Sequence, residues 1–219
     1  MKTYPVFLVG LDQRHTIVLG GGEEAERKVE GLLASGAAVA VVAETLTPGL
    51  AARVRARRVA WVERDYREGD LAGAFLVIST GTDRKQHERA WREARAAGAL
   101  INALDDVEHC DFIAGSIVRR GDLVVAISTG GTAPALAVRL RERLERSLGP
   151  EYGELVELLA ELRERIAERV PDFAARRALW YDLVDAAPLA DLRAGRRARA
   201  RRHLRANLRA ANLMPTVHP

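Results

Sequence analysis

Residues 16–25 read TIVLGGGEEA, and the fold depends on this stretch. The apolar, β-branched run Thr16–Leu19 predicts a buried strand. A helical pattern over residues 23–34 begins directly after the three glycines. Gly20, Gly22 and Ala25 fit the pattern G-x-G-x-x-A, in which the first glycine allows a tight turn and the second lets the backbone approach a pyrophosphate. The helix N-terminus then offers free N–H groups to the phosphates. We therefore predict a dinucleotide site here, with a plain tight turn as the alternative.

Outward from this turn, strand and helix patterns alternate. Further apolar runs predict strands at residues 39–42, 59–62, 75–79 and 99–104, with helices between them. Thr47 and Pro48 predict the N-cap and the first residue of one of these helices. This alternation predicts an α/β fold with a Rossmann-type, doubly wound parallel sheet. After Asp105 the pattern changes to a hairpin (113–118 and 123–128), a leucine-rich helix and then only helices. Among these we expect one helix along the apolar stripe from Leu155 to Val170 and a single last helix that begins at Pro188. We expect three parts: an NAD-binding domain (1–112), a dimerisation segment (113–149) and a helical C-terminal domain with a basic tail (150–219).

Composition excludes several classes of protein. The chain has 219 residues, 48% hydrophobic and 29% charged, which is typical of a globular protein. Residues 193–219 contain eight Arg and no acid, so the net charge of +4 divides into +8 there and −4 elsewhere. The single cysteine, Cys110, excludes an intramolecular disulfide. We expect no transmembrane helix, no membrane partner and a cytoplasmic location.

Acidic residues follow two of the predicted strands. Glu44 comes about 20 residues after the glycines, where a carboxylate would bond ribose hydroxyls and favour NAD over NADP; an exposed loop acid is the alternative. Asp105 and Asp106 follow the fifth strand, at the edge where doubly wound sheets bind ligands. Either could be a general base, and one could only cap the following turn. The run His109–Asp111 is too short to converge on one ion, so we predict no metal site.

Two further features bear on function. The turn Ser128–Thr132 before a helix could bind carboxylate or phosphate groups, and Thr132 could instead only cap that helix. The basic tail could be a solvated, partly docked helix or an anion-binding surface. No aromatic residue follows Tyr181, so stacking groups for single strands are missing and we do not expect a nucleic-acid partner.

Six stretches of this sequence together resemble the precorrin-2 dehydrogenase family, the dehydrogenase module of sirohaem synthases without the methyltransferase module. They are GGGEEAERK (20–28), VVA (41–43), FLVIST (75–80), NALD (102–105), DFI (111–113) and ISTGGTAP (127–134). The resemblance extends from Tyr4 to about Trp180. We recognise no family resemblance in the tail beyond Trp180.

The resemblance implies a Rossmann domain, an intertwined dimerisation segment, a homodimer and NAD as hydride acceptor from precorrin-2, giving sirohydrochlorin. Insertion of Fe²⁺ is a further activity of some members. The family's aspartate maps onto Asp105 rather than Asp106, as the base that takes the proton leaving with the hydride. The predicted cofactor contacts are Gly20, Gly22, Glu23, Glu24, Glu44, Thr45 and Thr80.

A tetrapyrrole substrate carries many carboxylates, which need cationic or hydrogen-bonding partners. The predicted substrate-binding residues are Ser128, Thr129, Gly130, Gly131, Arg119 and Arg120, with Arg139 as a further candidate. For each Arg, ordinary surface charge is the alternative. A competing hypothesis is a Rossmann module that senses NAD(H) and contacts nucleic acid through the tail.

Overall fold

The structure is a computed structural model that describes residues 2–185 and 188–210. The chain divides into two compact units, one formed by Thr3–Ala114 and one that begins at Gly115. None of the helices in these ranges is long and apolar enough to cross a membrane.

The first unit contains a five-stranded parallel sheet in the order β3-β2-β1-β4-β5. Its strands are β1 (His15–Leu19), β2 (Ala38–Val42), β3 (Val59–Val62), β4 (Leu76–Ser79) and β5 (Leu100–Ala103). Its helices are α1 (Glu23–Leu33), α2 (Pro48–Arg55) and α3 (Arg84–Ala96), and short 3₁₀ turns lie at Leu11–Gln13 and Val107–His109. The predicted doubly wound sheet is confirmed, with every strand within two residues of its expected limits.

Both faces of β1, β2, β4 and β5 are largely buried, which explains why these strands are apolar rather than alternating, whereas the edge strand β3 is partly exposed. Val18 and Val41 pack into a core with α1, while Ile17 and Val77 pack into a second core on the opposite face. Thr47 is the N-cap of α2, and its side chain accepts a hydrogen bond from the Leu50 backbone at 3.1 Å, as the Thr-Pro pair predicted.

The strand order places a crevice at the carboxyl end of β1. The connection from β1 leads to β2 on one side, whereas the connection from β3 leads back to β4 on the other side of β1. In the registers, Leu19 pairs with Val42 on one side and with Ser79 on the other, and Ser79 pairs with Ala103. The residues that follow these four therefore lie along one edge of the sheet.

The second unit begins with an antiparallel hairpin of β6 (Ser116–Arg120) and β7 (Leu123–Ile127). Its helices are α4 (Pro134–Ser147), α5 (Glu151–Ala160), α6 (Arg163–Arg169), α7 (Phe173–Asp185), α8 (Pro188–Arg193) and α9 (Arg197–Ala210). The predicted hairpin is confirmed, with a turn of two residues. Leu158, Ile166, Leu183, Leu204 and Leu208 are at most 1% exposed and form the core of the helical part.

Three local expectations were wrong here. The apolar stripe after Glu151 belongs to two helices, because the chain turns at Glu161 and Leu162, where no glycine or proline signals a break. The last helix is also two, divided at Gly195, which has a φ of 69° that favours glycine. The N-cap of α4 is Ala133 rather than Thr132, and no side chain caps it.

Candidate functional site

The glycine turn after β1 is built from three glycines with different requirements. Gly20 has a φ of 110°, in the region that favours glycine. A Cβ on Gly21 would lie 1.9 Å from the carbonyl oxygen of Thr45, so no side chain fits there. A Cβ on Gly22 would meet nothing within 4 Å. The turn is thus closed at Gly21 by the protein's own backbone and open at Gly22 towards solvent.

Helix α1 begins directly after this turn. Gly22 is its N-cap and provides no side-chain cap, and the first intrahelical bond runs from the Glu26 N–H to the Gly22 carbonyl at 3.0 Å. The earlier N–H groups, including those of Glu23 and Glu24, have no helical acceptor. An open glycine beside free N–H groups fits a pyrophosphate, so the residues present suit a dinucleotide. We call Gly22 and the backbone N–H groups of Glu23 and Glu24 the glycine cradle. The Glu24 carboxylate is not part of it, because it pairs with Arg27.

The loop after β2 packs backbone to backbone against the glycine turn. The Thr47 N–H donates to the Gly21 carbonyl at 2.9 Å, and the Thr47 hydroxyl donates to Glu26 at 2.5 Å. These bonds hold Glu44 and Thr45, both exposed, beside the cradle. Sequence reasoning missed Gly21, Glu26 and Thr47 as parts of the site, although the uninterrupted glycine triplet was a signal for Gly21.

Thr80 directly follows β4 and links the carboxyl end of β4 to that of β1. Both its N–H and its hydroxyl donate to the Leu19 carbonyl at 2.9 Å. His87, only 3% exposed, accompanies it: Nδ1 lies 2.9 Å from the Ser79 hydroxyl and Nε2 2.9 Å from the Gly81 carbonyl. Since a carbonyl oxygen only accepts, Nε2 donates to Gly81. His87 thus fixes the loop after β4, a role that no motif in the sequence indicated.

Asp105 lies two residues beyond the end of β5, on the same edge. Its carboxylate is exposed and makes no hydrogen bond or ion pair with the described residues. Its φ is 58°, in the left-handed region that non-glycine residues rarely adopt and that recurs at functional sites. It lines a cleft of about 220 Å³ together with Gly81, Thr82, Arg84, His87, Leu104 and Asp106.

Asp106 has a different environment. Its carboxylate is 11% exposed and lies 2.7 Å from His109 Nδ1, and its backbone carbonyl accepts from the His109 N–H at 3.0 Å. Arg84 approaches the same carboxylate at 4.0 Å. Asp106 therefore stabilises the turn after β5, and the Asp105 carboxylate is the one exposed in the cleft.

The predicted substrate-binding residues all lie in the second unit. The Ser128 hydroxyl accepts from the Gly130 N–H at 3.1 Å and the Thr129 hydroxyl from the Ala133 N–H at 3.2 Å, so both organise the turn before α4. Arg120 donates to the Leu148 carbonyl at 2.6 Å and to the Glu145 carbonyl at 2.9 Å, which caps the C-terminal end of α4. This structural role was not foreseen, and substrate binding by these residues and by Arg119 and Gly131 stays a prediction.

Arginines of the basic tail pair with acids of α5 and of its C-cap, Glu161. Arg193 lies 3.0 Å from Glu151, Arg197 lies 2.8 Å from Glu157 and Arg201 lies 2.6 Å from Glu161. On its other face α9 buries Leu204 and Leu208. Of the two interpretations of the tail, these contacts favour a docked helix.

Three family models match this chain in succession. One described as "Putative NAD(P)-binding" matches residues 7–116, half of the chain. "Sirohaem biosynthesis protein central" matches residues 120–147, and "Sirohaem synthase dimerisation region" matches residues 151–208. The chain belongs to the sirohaem synthase family. The family resemblance inferred from the six sequence stretches is thus confirmed, and so is a nicotinamide dinucleotide as cofactor.

Individual proteins that are similar to this chain are also sirohaem synthases. A siroheme synthase 1 of Pectobacterium atrosepticum is 41% identical over 84% of this chain and 38% of its own length. A siroheme synthase of Methylobacillus flagellatus is 40% identical over 84% of this chain and 39% of its own length. The chain thus spans about two fifths of the length of these sirohaem synthases. A solved structure titled "SirC, precorrin-2 dehydrogenase" shares the fold, with a TM-score of 0.70 at 23% identity over 93% of this chain and 100% of that one.

Proposed function

We propose that this chain oxidises precorrin-2 to sirohydrochlorin with NAD, as the dehydrogenase of sirohaem biosynthesis. The observation that carries the proposal is the exposed Asp105 carboxylate in a cleft on the same sheet edge as the glycine cradle. The strands β1 and β5 are two positions apart in the sheet, so cradle and carboxylate are separated by about 10 Å at the usual strand spacing. One cofactor can therefore be bound by the cradle while its reactive end lies near Asp105.

The cradle at Gly22 and the free N–H groups of Glu23 and Glu24 would hold the pyrophosphate, and Glu44 and Thr45 would hold the ribose. NAD, when bound, supplies the acceptor for the hydride that leaves the substrate. Because the Glu44 carboxylate is exposed beside the cradle, it would repel a 2′-phosphate, which favours NAD over NADP.

Asp105 is the group that takes the proton. The oxidation removes one hydride and one proton from precorrin-2, and a carboxylate at the mouth of the cleft can accept the proton and pass it to solvent. Asp106 is less suited because its carboxylate already pairs with His109. Ser128, Thr129 and the glycines after them would offer hydroxyl and N–H groups to substrate carboxylates.

The competing hypothesis of an NAD(H) sensor with a nucleic-acid tail has less support. The tail arginines that such a surface would need are partly neutralised by Glu151, Glu157 and Glu161. Insertion of Fe²⁺ into the product stays a prediction, and no contact among the described residues favours or opposes it.

The proposal is tested by incubating the purified protein with precorrin-2 and NAD, NADP or no cofactor, and following sirohydrochlorin by its absorbance. We expect product with NAD, less with NADP and none without cofactor. A parallel sample with Fe²⁺ reports iron insertion separately. Absence of sirohydrochlorin with either cofactor, from protein that binds NAD, would overturn the proposal.

Substitution of Asp105 tests the assignment of the base. Asp105→Asn keeps the size of the side chain but cannot accept a proton, so the rate at saturating NAD should fall by about 10²- to 10⁴-fold. The affinity for NAD should stay unchanged, because the cradle is on another loop. Asp106→Asn is the matched control and should lose only some stability. A near-normal rate for folded Asp105→Asn, or an inactive Asp106→Asn of normal stability, would contradict the assignment.

A further inference from the structure

Helix α1 has a lysine on its buried stripe. Ala25, Val29 and Leu32 pack against the sheet and are at most 8% exposed. Lys28 lies three residues after Ala25 and four before Leu32, so the helical repeat puts it on the same stripe. A lysine is rarely placed there without a function for its charge, because burial of an ammonium group costs free energy.

Lys28 belongs to a helix whose N-terminus lies at the edge of the sheet that carries the site. Side chains on a helix lean towards its N-terminus, and for α1 that end is the glycine cradle. The negative charge of the Asp105 carboxylate acts on the Lys28 ammonium and raises its pKa, against the lowering by burial. Asp105 belongs to the segment after β5, so Lys28 lies close enough to that segment for the two charges to interact.

The Lys28 ammonium has no fixed partner in the part of the chain that the structure describes. It makes no hydrogen bond there, and Asp105 is not within ion-pair distance of it. Burial is the main cause that lowers the pKa of Lys28, and the positive charge of Arg27 lowers it further. A half-buried cation without an acceptor, beside an exposed general base, is suited to bind an anionic group of a ligand.

We propose that Lys28 binds a carboxylate of the tetrapyrrole substrate and so places the reacting carbon beside Asp105. This inference rests on the proposed function, which supplies a polycarboxylate substrate. It adds a substrate-binding residue on the NAD-binding unit, whereas the predicted arginines lie on the second unit. Two of those are already engaged: Arg120 caps α4, and Arg139 lies 2.8 Å from Glu142.

Binding of uroporphyrin, a polycarboxylate macrocycle, tests the inference without turnover. Its methyl ester has the same ring without the negative charges. Fluorescence titrations would compare the wild-type protein with Lys28→Gln, Lys28→Met and Lys28→Arg. Lys85→Gln is the matched control, because Lys85 is exposed on α3. A second titration, with NAD, measures whether each variant still binds the cofactor at the glycine cradle.

We expect Lys28→Gln and Lys28→Met to bind uroporphyrin about tenfold to a hundredfold more weakly, the usual loss for a hydrogen bond to a charged group. Lys28→Arg should recover most of the affinity, and Lys85→Gln, binding of the ester and binding of NAD should not change. Lys28→Met keeps the apolar stem, so it guards against a variant that simply fails to fold.

The outcomes separate the two proposals. If the wild-type protein neither converts precorrin-2 nor binds uroporphyrin, the proposed function fails and the role of Lys28 falls with it. If it converts precorrin-2 but does not bind uroporphyrin, only the role of Lys28 as a carboxylate-binding residue is overturned. If the wild-type protein binds it and folded Lys28→Met binds it equally well, only the role of Lys28 is overturned. A loss of NAD affinity in place of uroporphyrin affinity would also overturn it, because Lys28 would then serve the cofactor phosphates.

Discussion

At the scale of single residues, the adjacent glycines Gly21 and Gly22 should respond differently to the same substitution. Gly21→Ala would place a Cβ 1.9 Å from the Thr45 carbonyl oxygen, so it should both destabilise the first unit and weaken NAD binding. Gly22→Ala meets no protein atom within 4 Å, so the free energy of unfolding should change by less than about 1 kcal/mol. Its methyl group would enter the space offered to the pyrophosphate, so NAD affinity should still fall.

Urea unfolding and NAD titration of both variants check this prediction. Normal NAD affinity in Gly22→Ala would show that the pyrophosphate does not approach this glycine. Normal stability in Gly21→Ala would show that the loop after β2 can move away from the turn.

At the scale of elements, the connection from β3 to β4 is held by Asp70. Its carboxylate accepts from the Arg64 guanidinium at 2.6 and 2.7 Å and from the Arg67 N–H at 2.8 Å. The Arg64 hydrogen bonds lower the pKa of Asp70 below its ordinary value near 3.8. The stabilisation is therefore complete above that ordinary value and is lost as the pH falls through the lower, folded pKa.

Asp70→Asn should therefore lower the free energy of unfolding by about 1–3 kcal/mol at neutral pH. The difference from the wild-type protein should shrink below pH 3.8, where the wild-type carboxylate also becomes protonated. Denaturation at several pH values measures both effects. Asp65→Asn, at an exposed neighbour, is the control, and an equal loss in that variant would contradict the prediction.

The attachment of α9 to the helical unit should depend on its apolar face more than on its ion pairs. Leu204 is 1% exposed, and Leu204→Ala should cost about 2–5 kcal/mol through the cavity it leaves. Arg197 pairs with Glu157 at the surface, and Arg197→Ala should cost less than about 1 kcal/mol. Denaturant unfolding of both variants compares the two, and a larger loss for Arg197→Ala would reverse this ranking.

At the scale of the whole molecule, we propose a homodimer. We predicted the dimer contact in residues 113–149, where Ile117, Leu136 and Val138 are 40–52% exposed. The family model described as a dimerisation region instead matches residues 151–208. Light scattering should give a mass near twice 24.0 kDa. Leu136→Glu should reduce it towards one chain if the first segment forms the contact, whereas Phe173→Glu, at a side chain 70% exposed, should do so if the second does. A wild-type mass of one chain at all concentrations would contradict the dimer.

The sequence by itself determined the parallel sheet, the glycine turn, the acid-bearing ends of the strands and the hairpin. These features depend on hydrophobic period, on glycine's backbone freedom and on residues close together in the chain. Only the tertiary structure decided that Gly21 faces Thr45, that Asp106 is paired while Asp105 is exposed, that Arg120 caps α4 and that Lys28 is half-buried on α1. Each of these depends on how a residue is oriented in the folded chain or on a neighbour supplied by a separate element. Local pattern cannot specify such contacts, because packing brings those neighbours together only when the chain folds.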